Sequence, residues 1–325
     1  VYQNQYVSVH NAYIEGNKAV YGQGIYCDQF RHIRLYGNQA VIEDAIYLLS
    51  TDCEIELAAT CQNSNTYLVE VNDDKPKGLL YANRLFRVNS TVVTPTKGSI
   101  ETATPALRWF TVKNASYILM AGSDTWNGKD MDIVLGRCVF IDSVTGSDDF
   151  VFNKTGDHTG VNPDKAVKTF KAAKQLLGSD PGVIYVSGPV QVEGTETWEL
   201  YSSNQSIRRY TGFAIGAKDV YPVYEGNLVE VKEGGNLTLS RYITIDGGSE
   251  YLDQAVEGCI IKVEGGGTLT ANSSTNLQNN TTTGSGGAMR IEDGGTAVLN
   301  GSKITNTVAE QQGNAIYQDG KLVLT

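Results

Sequence analysis

Val229-Glu230-Val231 leads into Gly234-Gly235-Asn236-Leu237-Thr238-Leu239, Ile261-Lys262-Val263 into Gly265-Gly266-Gly267-Thr268-Leu269, and Met289-Arg290-Ile291 into Gly294-Gly295-Thr296-Ala297-Val298-Leu299. Each line is a short alternating strand, a glycine corner and a second alternating strand. One such unit has too little apolar surface to fold alone, so the copies have to stack. The expected architecture is an elongated all-β scaffold that meets its ligands on a lateral surface.

A related form appears near the N-terminus: an apolar residue, then Asn, then a bend, then a small residue and an apolar strand. Ile14, Asn17 and Gly22-Gln23-Gly24-Ile25 make one copy, and Leu35, Asn38 and Ala45-Ile46-Tyr47-Leu48 the next. The form returns at Leu277, Asn280 and Gly286-Gly287-Ala288-Met289, and at Ile304, Asn306 and Gly313-Asn314-Ala315-Ile316. Asn suits a left-handed corner and can hydrogen-bond a stacked Asn in the next repeat. Equivalent residues are 21 apart from Ile25 to Ile46, 31 from Gly234 to Gly265, 29 from Gly265 to Gly294 and 26 from Gly294 to Gly320. Such lengths predict coils of a parallel β-helix with loops of variable size.

Between the two blocks, Asn162-Pro163-Asp164 opens a stretch from Lys165 to Leu177 in which Ala166, Val167, Phe170, Ala173, Lys174 and Leu177 have helical spacing, stopped by Gly178. One amphipathic helix near 163–177 is expected. Its place ahead of the strand Gly182-Val183-Ile184-Tyr185-Val186 suits a cap over the open end of the stack.

The 325-residue chain carries 26 basic and 36 acidic residues, a formal charge of −10. That balance repels phosphate backbones and anionic headgroups and excludes nucleic acid as a partner. No apolar run is long enough to span a bilayer, so membrane insertion is not expected. Val7-Ser8-Val9 at one end and Lys321-Leu322-Val323-Leu324 at the other already read as strands. The sequence is therefore expected to be a piece of a longer protein, with other domains of the same chain among its partners.

Gly146-Ser147-Asp148-Asp149, Gly160, Asn162-Pro163-Asp164-Lys165-Ala166-Val167-Lys168-Thr169-Phe170 and Ile184-Tyr185-Val186-Ser187-Gly188 together resemble the opening and cap of right-handed parallel β-helix domains in large bacterial surface proteins. The flanking glycine repeats are similar to those of polymorphic outer-membrane and autotransporter-like adhesins. The resemblance touches most of residues 1–60 and 140–325 and supplies the right-handedness. It implies an extracellular, cell-surface binding module with a host or matrix ligand, either a glycan or a host protein such as mucin or immunoglobulin. The layout expected from it is two tandem β-helices. Residues 1–137 are the closing coils of the first, with an irregular end containing Pro76, Pro95 and Pro105, and residues 138–325 are the cap and a second, truncated helix. A single stack with an inserted helix is the alternative.

Aromatic residues gather in residues 198–251. Tyr242 and Tyr251 belong to the same stretch, and the candidate ligand-binding residues within it are Trp198, Tyr201, Arg208, Arg209, Tyr210, Phe213, Tyr221 and Tyr224. Tyr and Arg anchor interfaces because they bury much area at little entropic cost. The alternative is that they pack on the cap and first coils.

Asp142, Asp148, Asp149, Asn153 and Asp157 offer the hard oxygens that Ca²⁺ prefers, and are the candidate site for a structural calcium ion, the one cofactor considered. Enzymes of this fold, such as pectate lyases and polysaccharide hydrolases, pair carboxylates across neighbouring coils. Asp246, Glu250, Asp253 and Glu257 instead follow one another along a loop, so no catalytic residues are assigned and an enzyme is the competing hypothesis. A passive stalk is the third. His10, His32 and His158 lie near no nucleophile elbow. Cys27, Cys53, Cys61, Cys138 and Cys259 have no zinc spacing and read as small buried hydrophobes, with a Cys53–Cys61 disulfide as the rival. The sequons at Asn236, Asn272 and Asn280 read as polar stacking and turns.

Overall fold

The structure, a computed structural model, describes residues 132–212 and 221–325 throughout and, before them, residues 13–27 and strand segments between residues 6 and 130. The described chain is mostly β, with strands paired chiefly in parallel and helices few and short. It divides into compact units, one ending at Arg137 and another beginning at Cys138.

In the first unit, Phe110–Val112, Tyr67–Val71, Ile46–Leu48 and Ile25–Cys27 form one parallel sheet, in which Ile25 faces Ile46 as the 21-residue spacing predicts. Ile25 and Ile46 are buried, and Tyr47 stacks on Tyr26 with ring centroids 5.2 Å apart. A second set, Tyr6–His10, His32–Tyr36, Glu54–Leu57 and Phe86–Val88, is also parallel. The unit closes with the antiparallel strand Tyr117–Ala121 against the first part of β1, Asp132–Ile141.

The second unit opens with the short helix α1, Asp149–Asn153, a 3₁₀ turn, Pro163–Lys165, and helix α2, Phe170–Leu177. The strands are β2 Gly182–Val186, β3 Val190–Val192, β4 Thr195–Trp198, β5 Gln205–Arg209, β6 Val229–Val231, β7 Asn236–Leu239, β8 Thr244–Asp246, β9 Ile261–Val263, β10 Thr268–Ala271, β11 Asn276–Thr282, β12 Met289–Ile291, β13 Thr296–Leu299, β14 Lys303–Ala309, β15 Ile316–Gln318 and β16 Lys321–Leu324. Every third strand joins the same sheet: β2-β5-β8-β11-β14, β3-β6-β9-β12-β15 and β4-β7-β10-β13-β16, all parallel. Alternation then sorts the side chains. Ile184, Ile207, Ile245 and Leu277 line up in one inward column, Val229, Ile261 and Met289 in a second, Leu237, Leu269 and Ala297 in a third, all buried.

The glycine pairs divide the work of the corner. Gly234, Gly266 and Gly294 take positive φ, a region L side chains avoid, and Gly234 N donates to Gly266 O (3.3 Å) as Gly266 N does to Gly294 O (3.0 Å). The glycine after each is held by crowding: a Cβ on Gly235 would lie 2.2 Å from Val192 O. The repeat is thus framed on Gly266 rather than Gly265. Asn236 pairs with Thr268 and Thr268 with Thr296, steps of 32 and 28 residues where the glycine count predicts 31 and 29. The asparagine corner is likewise displaced by one. Asn279 and Asn306 take positive φ and Asn306 Nδ2 donates to Asn279 Oδ1 at 3.2 Å, whereas Asn280 pairs with Thr307 in the strand ladder.

The helix also starts later than the spacing predicts. Ala166 is extended (ψ 147°), Val167 N donates to Phe140 O, and Asp142 N donates to Val167 O. Val167 therefore bridges to Ile141 as a strand residue, and the chain turns helical only after Thr169, whose hydroxyl accepts from Ala172 N at 3.2 Å. Sheet pairing overrides helical periodicity for the four residues after Lys165. Phe170, Ala173 and Leu177 still point into the same apolar core as the sheets.

Candidate ligand-binding surface

The aromatic cluster of residues 198–251 separates into buried and exposed members. Trp198 is inside, stacked on Phe170 of α2 at 4.4 Å, its indole N–H donating to Glu196 Oε2 at 2.7 Å. Tyr210 is inside as well, edge-on to Phe140 at 5.5 Å, with its hydroxyl accepting from Tyr221 N at 3.3 Å. Tyr224 donates its hydroxyl proton to Asn227 O at 2.8 Å. Phe213 lies outside the described residues.

Arg209 is a structural clamp. No part of it is exposed, and its donors are taken by Gly247 O (3.0 Å), Tyr224 O (2.8 Å), Gly226 O (2.7 Å), Gly258 O (3.4 Å) and Asn280 Oδ1 (3.1 Å). Burial lowers its pKa to about 10, which leaves it charged at neutral pH. The guanidinium fork ties together three turns distant in sequence and has no donor left for a ligand.

Arg208, one residue earlier on β5, points the other way. It lies in register between Tyr185 and Asp246 on the outer face of the first sheet, 5.3 Å from the Tyr251 ring centroid. Burial lowers its pKa, but Tyr185, Tyr251, Asp246 and Glu250 together outweigh that and the net shift is upward. Its Nε is buried without a hydrogen-bond partner. Asp246 accepts from Gly248 N (2.8 Å), Gln278 Nε2 (2.9 Å) and Asn279 Nδ2 (3.1 Å), so its carboxylate is engaged within the fold rather than paired with a second acid.

The exposed tyrosines stand on adjacent turns, which are joined by Leu200 N donating to Arg241 O. Tyr201 and Tyr242 each stand three residues beyond a paired strand end, Trp198 and Leu239, and are 55% and 45% exposed. Lys174 of α2 places its ammonium 4.7 Å from the Tyr201 ring centroid. Glu199 links Lys174 (3.6 Å) to Arg241 (3.3 Å). Lys174, Glu199 and Arg241 carry no linear signal, since they are distant in sequence. The two tyrosines could have been paired from their equal offsets in the repeat.

The acids of the calcium hypothesis face different partners. Asp142 accepts from Val144 N and Thr145 Oγ1 (2.8 and 2.6 Å), Asp148 from Lys168 N and Thr169 Oγ1 (both 2.7 Å), and Asp149 from Asn153 Nδ2 (3.1 Å). Asp157 faces His158 (3.4 Å) and Lys165 (3.9 Å). Among the described residues, no group of three or more His, Cys, Asp or Glu converges as a metal site. The side chains of His10 and His32 lie outside the description, as do Cys53 and Cys61; Cys27, Cys138 and Cys259 are buried. Asn272 accepts from Asn300 Nδ2 at 3.2 Å, the stacking expected of that sequon.

The middle sheet turns a charged wall outward. Glu230, Lys232, Glu264, Lys262, Glu292 and Arg290 alternate in sign, with contacts of 3.0, 2.8, 3.7, 3.6 and 3.0 Å along the series. Burial alone would raise the Glu230 pKa, but hydrogen bonds from Asn227, Lys232 and Gln191 outweigh it and hold the carboxyl low. A depressed native value means that the stabilisation is complete above the unfolded value and is lost as pH falls through the native one. The melting-temperature gap between the wild type and Glu230→Gln should therefore shrink between about pH 6 and about pH 3. A gap that stays constant over that range would refute this reading.

Fold and site together define an all-β protein of parallel sheets with a filled core and an aromatic, cationic corner on its outer surface. Comparison with protein-family models, curated proteins and solved structures finds no match. Among the described residues, no helix is long and apolar enough to cross a membrane.

Proposed function

We propose that the second unit is a right-handed parallel β-helix closed at its first turn by α2, and that the chain is an adhesion module displayed on a bacterial cell surface. In this reading it binds a host or matrix ligand, a glycan or a host protein, through its lateral wall, and the first unit is the end of a preceding β-helix. The observation that carries the reading is the outward display of Tyr201, Tyr242 and Arg241, with Lys174 of α2 beside them, on repeats whose inward columns are filled by aliphatic side chains. Contact with a partner then falls on the outer wall, where Tyr and Arg are the side chains best suited to anchor it. The 325-residue chain should show saturable binding when screened against a glycan array, mucin and immunoglobulin. Silence in all three would replace this reading with the passive stalk, and release of new reducing ends or unsaturated products from a polysaccharide would replace it with an enzyme.

A further inference from the structure

We infer that the two stacked turns following β4 and β7 form a binding site for an acidic glycan, with Tyr201 and Tyr242 as the platform and Arg241 and Lys174 as the anion contacts. This rests on the binding role proposed above and gives it a place and a ligand class.

The first observation is conformational. Tyr242 has φ +60°, the left-handed region, where a side chain with a Cβ is strained. Counted back from the next strand, Tyr242 stands two residues before Thr244 as Gly301 stands two residues before Lys303, on a corner one residue shorter. Gly301 has φ +68°. The left-handed conformation is thus taken in one corner by glycine, which fits it, and in another by a bulky aromatic that does not. Strained residues of this kind persist where the side chain has a use. The residue is 45% exposed, so packing gives little reason for its presence.

The second observation is chemical and independent of the first. Tyr201, on the adjacent repeat, is also exposed, and its ring is approached by Lys174 at 4.7 Å. Leu200 N donates to Arg241 O at 3.1 Å, which ties the two turns together. Neighbouring strands in a sheet stand about 4.8 Å apart, so rings on adjacent turns can meet successive faces of one oligosaccharide. Apolar C–H faces of a pyranose stack on tyrosine rings, and the phenol hydroxyls reach the sugar rim.

Charge selects the class. Glu199 is shared between Lys174 and Arg241, leaving these three groups at a net +1 on a chain of −10. The Arg241 side chain is 70% exposed, so the donors that Glu199 does not take are open to solvent. A guanidinium reads a carboxylate or sulfate with paired hydrogen bonds, which a neutral sugar cannot return. The corner therefore fits a sugar carrying an acid group better than its neutral counterpart.

The test uses the whole chain with sialyllactose, an oligogalacturonate and a heparin oligosaccharide as acidic probes. Lactose, the methyl-esterified oligogalacturonate and the desulfated, carboxyl-reduced heparin fragment are their neutral counterparts. At least one acidic probe should bind, tighter than its counterpart and more weakly as salt is raised. Tyr242→Gly and Arg241→Gln should each weaken it at least about tenfold, the size of a typical anchor truncation. Tyr242→Gly should melt at or above the wild-type temperature, because glycine relieves the left-handed strain; a purely structural tyrosine would give the reverse. Equal binding of a neutral counterpart, or binding of any ligand unchanged in both variants, overturns this site while leaving the binding role standing. No binding to any glycan or protein overturns both.

Discussion

Arg209→Met should destabilise the second unit by about 5 kcal/mol, a large part of the 5–15 kcal/mol that holds a typical domain together. The substitution keeps much of the side-chain volume and removes every donor. Gly247 O, Tyr224 O, Gly226 O and Asn280 Oδ1 then lose a partner inside the protein, while Gly258 O keeps its bond from Asn280 Nδ2 at 3.1 Å. Each buried acceptor left without a donor costs about 1–3 kcal/mol. The opposing effect is relief of the cost of burying a charge, the same desolvation that lowers its pKa to about 10. Relief wins when all the partners of a buried charge become apolar together; here they are backbone carbonyls that stay polar, so the penalty dominates. Arg209→Lys should rescue little, because an ammonium cannot reach turns as separate as Tyr224, Gly247 and Asn280. Urea denaturation of the three proteins is the measurement, and a loss below about 1 kcal/mol for Arg209→Met would sink the clamp.

Gly258→Ala should cost at least about 3 kcal/mol, the upper end of what overpacking extracts. A Cβ there would lie 2.0 Å from Gly226 C, 2.2 Å from Asn227 N and 2.2 Å from Gly226 O. All three are backbone atoms, so no side chain can swing away and the two turns must separate. Separation would strain Gly258 N to Glu225 O (2.7 Å) and Cys259 N to Asn227 Oδ1 (3.1 Å). Gly194→Ala is the matched control, since nothing lies within 4 Å of its added Cβ and its φ is not positive. That variant should stay within about 0.5 kcal/mol of the wild type. Equal melting of the two variants would remove the close-approach argument. Gly258 and Arg209 share the 226–258 turns, so their effects should not add.

The repeat grammar was legible because its causes are local. Alternation in Val229-Glu230-Val231 and the glycine corners depends on backbone preference within a few residues, and the inward columns follow from it. The errors of one residue at Gly265 and Asn280 arise where neighbouring residues are chemically alike: three successive glycines, and the pair Asn279-Asn280. Only the hydrogen-bond ladder chooses among them. Val167 misled for a related reason, since an apolar residue at helical spacing also satisfies a bridge to Ile141.

The binding residues were legible as a group but not as individuals. Arg208 and Arg209 are adjacent and identical in type, yet strand alternation turns one outward beside Tyr251 and buries the other among carbonyls. Trp198 and Tyr201, three residues apart, divide in the same way between the core and the surface.

By itself, then, the amino-acid order determined that this protein is built from stacked, alternating strands with glycine corners, since those signals act over a handful of residues. The tertiary structure decided which aromatics face water, what holds Arg209, and that Lys174, Glu199 and Arg241 meet. Those contacts join residues 25 and 42 positions apart across turns of unequal length, and they exist only once the parallel register is set.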